Sequence, residues 1–432
     1  MTLLRSIRTV TRKYDTEIAE RLFLSIVSKH IILKCLYGCN WFFRKTPLST
    51  VFILIYGARI LLLRRVESGS GIIATGLLPN EIRKIILLQA ALPRVKILRV
   101  NSGVKNVFSL SQWIFSVQIF LQPKTILRIF RVIDRLNRRK KQFFLSCIAM
   151  DTIVYYCLYK RVLDNRRISA VFFSSDYTSD AVPLVNLAKS RGIKTVFIPH
   201  ANITKSHKVP PLTYSLSVLT GQSILEIYQS RGESKGEVLL LGIPSPYRPM
   251  HLALTQRKLR IGIFLTSFTD ESVLNQIIIQ CISRLDVAQI IIRPHPAKLV
   301  LPDFNRLDKK LLCESIVVIS EENSLQEDLE NIHFVIAGNS SVHLECLRFG
   351  VPSLYFHGLD AFLHDVNGFL ENQILYSAHF IDKDTPTNVK NYYQDSNWQA
   401  RFRYYDAGYG FTEQELLGTL SKKLEAVLEN GS

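Results

Sequence analysis

Two short polar motifs follow apolar runs in the second half of the sequence, and their residue types suit phosphate chemistry. The first is the Arg-Pro-His-Pro sequence at 293–296, which follows the isoleucines of 290–292. The second is the Gly-Asn-Ser-Ser-Val-His-Leu-Glu sequence at 338–345, which follows the apolar residues 334–337. Ligands of open α/β sheets bind beyond the carboxyl ends of the strands. Both motifs are therefore predicted to lie where such a sheet places its chemistry.

The serine pair of the second motif is predicted to start a helix. Ser340 and Ser341 would present hydroxyls next to free backbone N–H groups, an arrangement that attracts phosphate. Glu345 lies four residues after Ser341, so both side chains fall on one helix face, where the carboxylate would accept hydrogen bonds from ribose or sugar hydroxyls. The alternative is an ordinary serine cap with an exposed glutamate.

Two histidines stand beside prolines directly after apolar runs. His295 lies between two prolines, and His200 follows Pro199. Proline fixes the backbone in extended geometry, so each imidazole is predicted to be held rigidly at a strand end. A rigid histidine can donate to a phosphate oxygen or transfer a proton. The alternative is a turn in which the histidine caps a backbone group.

Two further polar clusters also follow apolar runs. Asp176, in the Ser/Thr/Asp-rich stretch 174–180, is predicted to act as a base or to orient His200, although such clusters more often only cap helices. Thr266 follows the first apolar run of the second half and is a weaker candidate for contact with a phosphate or base.

The elements that must position these residues alternate between strands and helices, which predicts parallel pairing in an α/β fold. One alternating series spans residues 71–250 with a helical insert at about 105–165, and a second spans 259–410. A Gly- and Pro-rich, polar stretch separates them. We expect two Rossmann-like lobes facing a cleft. Residues 1–70 are predicted to form a basic helical N-terminal segment and residues 411–432 a C-terminal helix.

Charge is distributed unevenly along the 432 residues. Residues 1–170 hold 30 lysines and arginines against 8 acidic residues, whereas residues 171–432 hold 24 against 28. Such asymmetry indicates an anionic partner for the first part. Aromatic and aliphatic residues interleave the basic ones at Trp41–Lys45 and Ile60–Arg65, which favours an anionic membrane surface over nucleic acid. The alternative is that the apolar residues belong to a core and the basic ones to a solvated face.

Several chemistries are disfavoured by what the sequence lacks. It has no P-loop, no GxGxxG fingerprint, no GxSxG elbow and no HExxH motif. The seven cysteines are scattered and form no CxxC pair, so neither a zinc site nor a disulfide framework is predicted. We expect no metal and no cofactor, and a reduced, cytoplasmic compartment.

Taken together, these motifs resemble the second lobe of GT-B glycosyltransferases. More narrowly, they are similar to the group of CDP-glycerol glycerophosphotransferases, bacterial sialyltransferases and capsule polysaccharide transferases. The resemblance covers about residues 165–360. It implies donor phosphate binding by Arg293 and His295 and by the serine pair, and acceptor activation by His200. The family usually has a glycine after that histidine, where this sequence has Ala201.

The resemblance implies a metal-independent inverting transferase. The donor would be a sugar or glycerol-phosphate-like unit on CMP, CDP or UDP, and the acceptor a surface polysaccharide or lipid-linked glycan. We expect the enzyme at the inner face of the cell membrane, held there by residues 1–170. The alternatives are a nucleotide-sugar epimerase of the same fold and a non-catalytic, membrane- or polysaccharide-binding envelope protein. Nucleic-acid binding is weaker, because no recognisable module is present.

Overall fold

The computed structural model describes residues 2–14, 65–66, 69–76, 79–101, 142–165, 167–200, 203–204, 209–254, 258–266, 268–295, 316–320, 322–360 and 364–429. These residues form two α/β lobes, each built on a largely parallel sheet. The two Rossmann-like lobes predicted from the sequence are therefore confirmed.

The first lobe has a seven-stranded sheet in the order β1-β3-β2-β4-β5-β6-β7. All neighbouring strands pair in parallel except the short edge strand β1, which runs antiparallel to β3. Edge strand β1 lies inside the segment predicted to be helical, and its two residues are too few for a periodicity to reveal. The strands are β1 (Arg65–Val66), β2 (Gly71–Thr75), β3 (Ile97–Asn101), β4 (Ile168–Phe173), β5 (Lys194–Phe197), β6 (Leu216–Leu219) and β7 (Glu237–Leu240).

Helices cover both faces of this sheet. They are α1 (Thr2–Tyr14), α2 (Pro79–Ala91), α3 (Gln142–Asn165), α4 (Ala181–Ser190) and α5 (Gln222–Gln229). Helix α1 contacts α3 and α4, and its Ile7 and Val10 are buried. The apolar residues of this N-terminal helix therefore belong to the core of the first lobe.

The second lobe has a six-stranded parallel sheet in the order β10-β9-β8-β11-β12-β13. Numbered along the lobe, this is the 3-2-1-4-5-6 order of dinucleotide-binding sheets, in which ligands bind where the order reverses. The reversal lies between β8 and β11. The strands are β8 (Leu259–Phe264), β9 (Val287–Arg293), β10 (Val317–Ile319), β11 (Phe334–Ala337), β12 (Ser353–Phe356) and β13 (Tyr376–Ala378).

Side-chain caps start three of the helices in this part of the chain, and one of them is formed by Thr412 and Glu415 before the last helix. Asp270 accepts hydrogen bonds from the backbone N–H groups of Ser272 and Val273 at the start of α6. Ser324 and Glu327 form a capping box at α7. The helices are α6 (Glu271–Arg284), α7 (Leu325–Glu330), α8 (Val342–Arg348), α9 (Thr385–Gln394), α10 (Asn397–Phe402) and α11 (Glu413–Glu429).

A fully buried ion pair fastens the segment that connects the lobes. The guanidinium of Arg348 donates to the Asp406 carboxylate at 2.9 Å, to the carbonyl of Ser245 at 2.8 Å and to that of Phe411 at 2.9 Å. Asp406 in turn accepts from the backbone N–H of Ile243 at 2.9 Å. The connecting segment is therefore held to the end of the second lobe by charge-assisted hydrogen bonds.

The last helix returns to the first lobe. Leu416, Leu420, Leu424 and Val427 of α11 are buried in one cluster with residues of α2 and the first sheet. Just before α11, the carbonyl of Tyr404 accepts from the backbone N–H of Ser223 at 2.9 Å, at the start of α5. The C-terminal part of the chain thus joins the two lobes a second time.

Some sequence predictions lie outside the described residues. Most of the predicted helical insert, residues 102–141, is among them, as are the basic and aromatic stretches at 41–45 and 60–64. None of the helices in the described ranges is long and apolar enough to cross a bilayer.

Candidate active site

The turn after β11 lies at the point where the strand order of the second lobe reverses. Its Gly338 approaches Asp360 so closely that a Cβ there would lie 2.4 Å from a carboxylate oxygen. The same carboxylate accepts a hydrogen bond from the backbone N–H of Asn339. Asp360 follows the neighbouring strand β12, and its carboxylate supports the turn. Because this carboxylate lies so close, only glycine fits at position 338.

A buried histidine fixes the other side of this turn. The imidazole Nε2 of His343 donates to the carbonyl of Gly338 at 2.8 Å, so its Nδ1 accepts from the hydroxyl of Ser353 at 2.6 Å. Burial lowers the pKa of His343 to about 4. The ring is therefore neutral at neutral pH, and it holds the turn in one conformation.

The serine pair occupies the start of α8, as predicted. Ser340 accepts a hydrogen bond from the backbone N–H of Val342 at 3.3 Å. Ser341 is the residue before the helix, is exposed, and makes no side-chain cap bond. The Ser341 hydroxyl is therefore accessible to a ligand at this edge of the sheet.

His295 lies at the same edge, directly after β9. It is partly buried, and the carboxylate of Asp360 lies close enough to interact with it electrostatically. Burial lowers the pKa of His295, and Asp360 opposes that shift. The imidazole is thus largely neutral at neutral pH, and a phosphate dianion beside it would favour its protonated form.

Two other predicted donor-binding residues make contacts within the protein. The hydroxyl of Thr266 donates to Asp360 and accepts from the backbone N–H of Phe268. The guanidinium of Arg293 forms an ion pair with the buried Asp328. Both side chains therefore support the loops that surround the candidate phosphate site.

Glu345 faces the first lobe across the cleft. Burial raises its pKa, and the positive charges of Arg83, Lys84 and Arg293 oppose the shift. Burial also lowers the pKa of Lys84, and Glu345 opposes that change. Arg83 and Lys84 belong to α2, so cationic side chains of the first lobe lie beside the helix that starts at the serine pair.

In the first lobe, His200 follows β5 and is held by a backbone group. Its Nδ1 lies 2.7 Å from the carbonyl oxygen of Ser174, at the end of the neighbouring strand β4. A carbonyl only accepts, so Nδ1 carries the proton in this contact. The other ring nitrogen, Nε2, is then the basic one in the neutral imidazole.

Asp176 lies among tyrosines in the same lobe. It is buried, it hydrogen-bonds Tyr228, and its charge raises the pKa values of Tyr177, Tyr214 and Tyr228 beyond the effect of burial. The Nδ1 contact that orients His200 comes from the Ser174 carbonyl instead of this carboxylate. The sequence could not distinguish the two, because both groups belong to the same loop.

A cavity of about 470 Å³ lies between the lobes. The first lobe contributes α5 and the segment that follows His200, through Ile203 and Thr204. The second lobe contributes Leu344 of α8, residues 365–369 and 371–372, and the pair at 404–405. The cavity therefore adjoins the elements that carry the two predicted sites.

Sequence reasoning missed Asp360, Arg83, Lys84 and the loop at 365–372. Asp360 had a usable signal, since it is a polar residue shortly after an apolar run. Arg83 and Lys84 had no usable signal, because nothing in the sequence indicates which helix of the first lobe faces α8. Within the described ranges, no three His, Cys, Asp or Glu residues are grouped so that they could hold a metal ion.

No protein-family model and no curated protein sequence matches this chain. Solved structures of similar overall shape exist at 10–13% sequence identity. The glycosyltransferase SnogD from Streptomyces nogalater is 13% identical with a TM-score of 0.43, covering 83% of this chain and 100% of its own. A UDP-N-acetylglucosamine 2-epimerase from Rickettsia bellii is 12% identical with a TM-score of 0.46. The alignment covers 84% of this chain and 97% of the epimerase chain. The lipopolysaccharide outer core galactosyltransferase WaaB is 10% identical with a TM-score of 0.40. The alignment covers 84% of this chain and 99% of the WaaB chain.

Proposed function

We propose that this chain is a metal-independent inverting glycosyltransferase with a GT-B-like fold. It would move a sugar, or a glycerol-phosphate-like unit, from a CMP-, CDP- or UDP-linked donor to a glycan or lipid-linked acceptor. The observation that carries the proposal is the grouping of His295, the serine pair and the supporting Asp360 at the switch point of the second sheet.

The donor phosphates would bind at the start of α8. Ser340, Ser341 and the adjacent backbone N–H groups donate to phosphate oxygens, and His295 donates once it is protonated. Lys84 and Arg83 add positive charge from the first lobe, which stabilises the negative charge that grows on the leaving phosphate. Arg293 and Thr266 act by holding the surrounding loops in place.

His200 would act as the general base. Its Nε2 takes the proton of the acceptor hydroxyl as that oxygen attacks the anomeric carbon, and the bond to the nucleotide phosphate breaks on the opposite side. One displacement inverts the configuration. The Ser174 carbonyl keeps the Nδ1 proton in place and orients the ring, which is the supporting role that a carboxylate has in other bases of this kind.

The basic first part of the chain would hold the enzyme against an anionic membrane surface, on the cytoplasmic side. The support for this placement is the excess of lysine and arginine in residues 1–170 and their interleaving with aromatic residues.

The test is a turnover assay on the full chain. Thermal-shift screening with CMP, CDP, UDP and GDP first identifies the nucleotide, because a ligand of the folded state raises the melting temperature. The corresponding nucleotide-sugars are then incubated with and without glycan acceptors. Transfer that requires an acceptor supports the proposal. Conversion of the sugar without any acceptor identifies an epimerase, and no turnover with any donor indicates a non-catalytic protein.

A further inference from the structure

The cavity between the lobes carries polar groups that the protein leaves unused. Asp365 lines it, and one carboxylate oxygen accepts from the backbone N–H groups of Leu370 and Glu371, while the other is buried without a partner in the described structure. A buried acceptor without a donor costs free energy. A ligand hydroxyl at this point would remove that cost.

The neighbouring side chains add donors and acceptors of the same kind. The amide of Asn367 and the carboxylate of Glu371 line the cavity, and neither makes a side-chain hydrogen bond within the described ranges. Asp365 and Gln373, at the two ends of this loop, have φ values of +36° and +51°. The described residues include no other side chains in the left-handed region, and such strain is concentrated at binding sites.

The cavity also has an apolar wall. The rings of Phe369 and Tyr405 are buried and pack edge to face with centroids 5.1 Å apart. Val366 is 39% exposed on the same lining. Mixed apolar and hydrogen-bonding surfaces suit a sugar ring, which presents C–H groups on its faces and hydroxyls around its edge.

The charge of the lining disfavours an anion. Among the described residues of the lining, Glu226, Asp365 and Glu371 contribute three carboxylates and Arg231 contributes one guanidinium. A carboxylate or phosphate on the ligand would meet net negative charge in a partly enclosed space, where repulsion is weakly screened.

A hydrogen bond connects the cavity to the turn after β11. The backbone N–H of Val366 donates to the side-chain oxygen of Asn339 at 3.0 Å, and Leu344 of α8 is part of the lining. A ring in the cavity would therefore lie beside the site at which the donor phosphates are placed.

We propose that this cavity binds one uncharged sugar ring, and that it rejects hexuronic acids and phosphate-bearing units such as glycerol phosphate. The inference rests on the proposed transferase function and narrows its substrate class. The ring belongs either to the nucleotide-linked donor or to the end of the acceptor glycan, since both present the same chemistry.

The test is saturation-transfer NMR on the full chain with free methyl hexosides, the matching hexuronides and glycerol 3-phosphate. We expect hexosides to bind at least about tenfold more tightly than their hexuronides, which corresponds to roughly 1.4 kcal/mol. Displacement of the bound hexoside by a hexuronide or by glycerol 3-phosphate with equal affinity, or no hexoside binding, would overturn the proposal. These titrations use no variant and no nucleotide, so they measure hexoside binding independently of transferase activity.

Variants test whether the lining is responsible. Asp365→Asn combined with Glu371→Gln keeps the size and one acceptor oxygen in each side chain but removes two charges, so the preference for hexosides should fall several-fold. Asp286→Asn, an exposed carboxylate outside the cavity, should leave the preference unchanged. An unchanged preference in the folded double variant would contradict the proposal.

A competition experiment distinguishes the two sources of the ring. If the ring is that of the donor, the nucleotide-linked hexose displaces the bound methyl hexoside. If it belongs to the acceptor, both ligands bind together. If the turnover assay fails but the chain still binds hexosides selectively, the transferase function is rejected and the sugar-binding site is retained.

Discussion

The imidazole of His200 is held in one tautomer by the carbonyl oxygen of Ser174, 2.7 Å from Nδ1. This contact leaves Nε2 as the basic nitrogen, which is the state that a general base needs before it meets its substrate. The carbonyl therefore orients the ring.

His200→Ala should therefore remove turnover and leave donor binding intact. Loss of a general base lowers kcat by about 10²–10⁴-fold. Steady-state assays of the variant, with calorimetry of the nucleotide, separate the two effects. His251→Ala, an exposed histidine of the connecting segment, serves as the control. Activity equal to that of the parent chain would remove His200 from the role of base.

His295 predicts a pH dependence of donor binding. Burial lowers its pKa in the free protein, so the ring is mostly neutral at pH 7. A bound phosphate raises that pKa, and binding must then take up protons and strengthen as the pH falls toward 6. Calorimetry in buffers of different ionisation enthalpy measures the uptake, which His295→Gln should abolish. Donor affinity that is independent of pH would contradict the assignment.

The polar residues that follow strands could be predicted from the sequence, but their partners could not. Arg293 and Thr266 follow buried strands, so they were expected beside the ligand. Their actual partners, Asp328 and Asp360, lie 35 and 94 positions further along the chain. A pattern of local residue types contains no information on contacts at such separations.

Among the helices and strands, the buried parallel strands were the most predictable. The residues of β11 are apolar throughout because both faces of a parallel sheet are covered by helices. The short antiparallel strand β1 lacks that signature. The capping box at α7 was predictable because all of its hydrogen bonds join residues three apart.

The ion pair that fastens the connecting segment should be important for stability. Asp406→Asn leaves the buried Arg348 without its counter-charge, and breaking a buried pair in this way costs about 3–5 kcal/mol. The exposed pair of Arg248 and Glu330, at 2.6 Å, supplies the matched control, and Glu330→Gln should cost less than about 1 kcal/mol. Urea unfolding followed by circular dichroism compares them. Equal midpoints would show that the buried pair does not stabilise the attachment of the connecting segment to the second lobe.

For the molecule as a whole, the sequence indicated two lobes and a boundary near residue 250, but not how the lobes are joined. Residues 411–432 were predicted to form a C-terminal helix, and α11 lies within them. Its apolar side chains pack on the first lobe, far from the strands that precede it in sequence. The packing of α11 on the first lobe depends on which surface of that lobe is apolar after folding. A local sequence pattern does not contain this information.

The uneven charge predicts membrane binding that depends on lipid charge. The full chain should sediment with vesicles that contain phosphatidylserine and remain in solution with phosphatidylcholine vesicles. Binding should weaken as the salt concentration rises from 0.1 to about 0.5 M, because screening shortens the range of the attraction. Equal binding to both vesicle types would indicate apolar contact alone. No binding to either vesicle type would contradict the proposed membrane association.

Calorimetry of the preferred nucleotide with the double variant Ser340→Ala, Ser341→Ala tests whether the donor phosphates bind at the serine pair. Hydrogen bonds to charged groups contribute about 1.5–3 kcal/mol each, so the Kd should rise by roughly tenfold or more. Ser283→Ala, which removes an exposed hydroxyl on α6, should change nothing. A double variant that folds normally and binds the nucleotide with the affinity of the parent chain would show that the phosphates bind elsewhere.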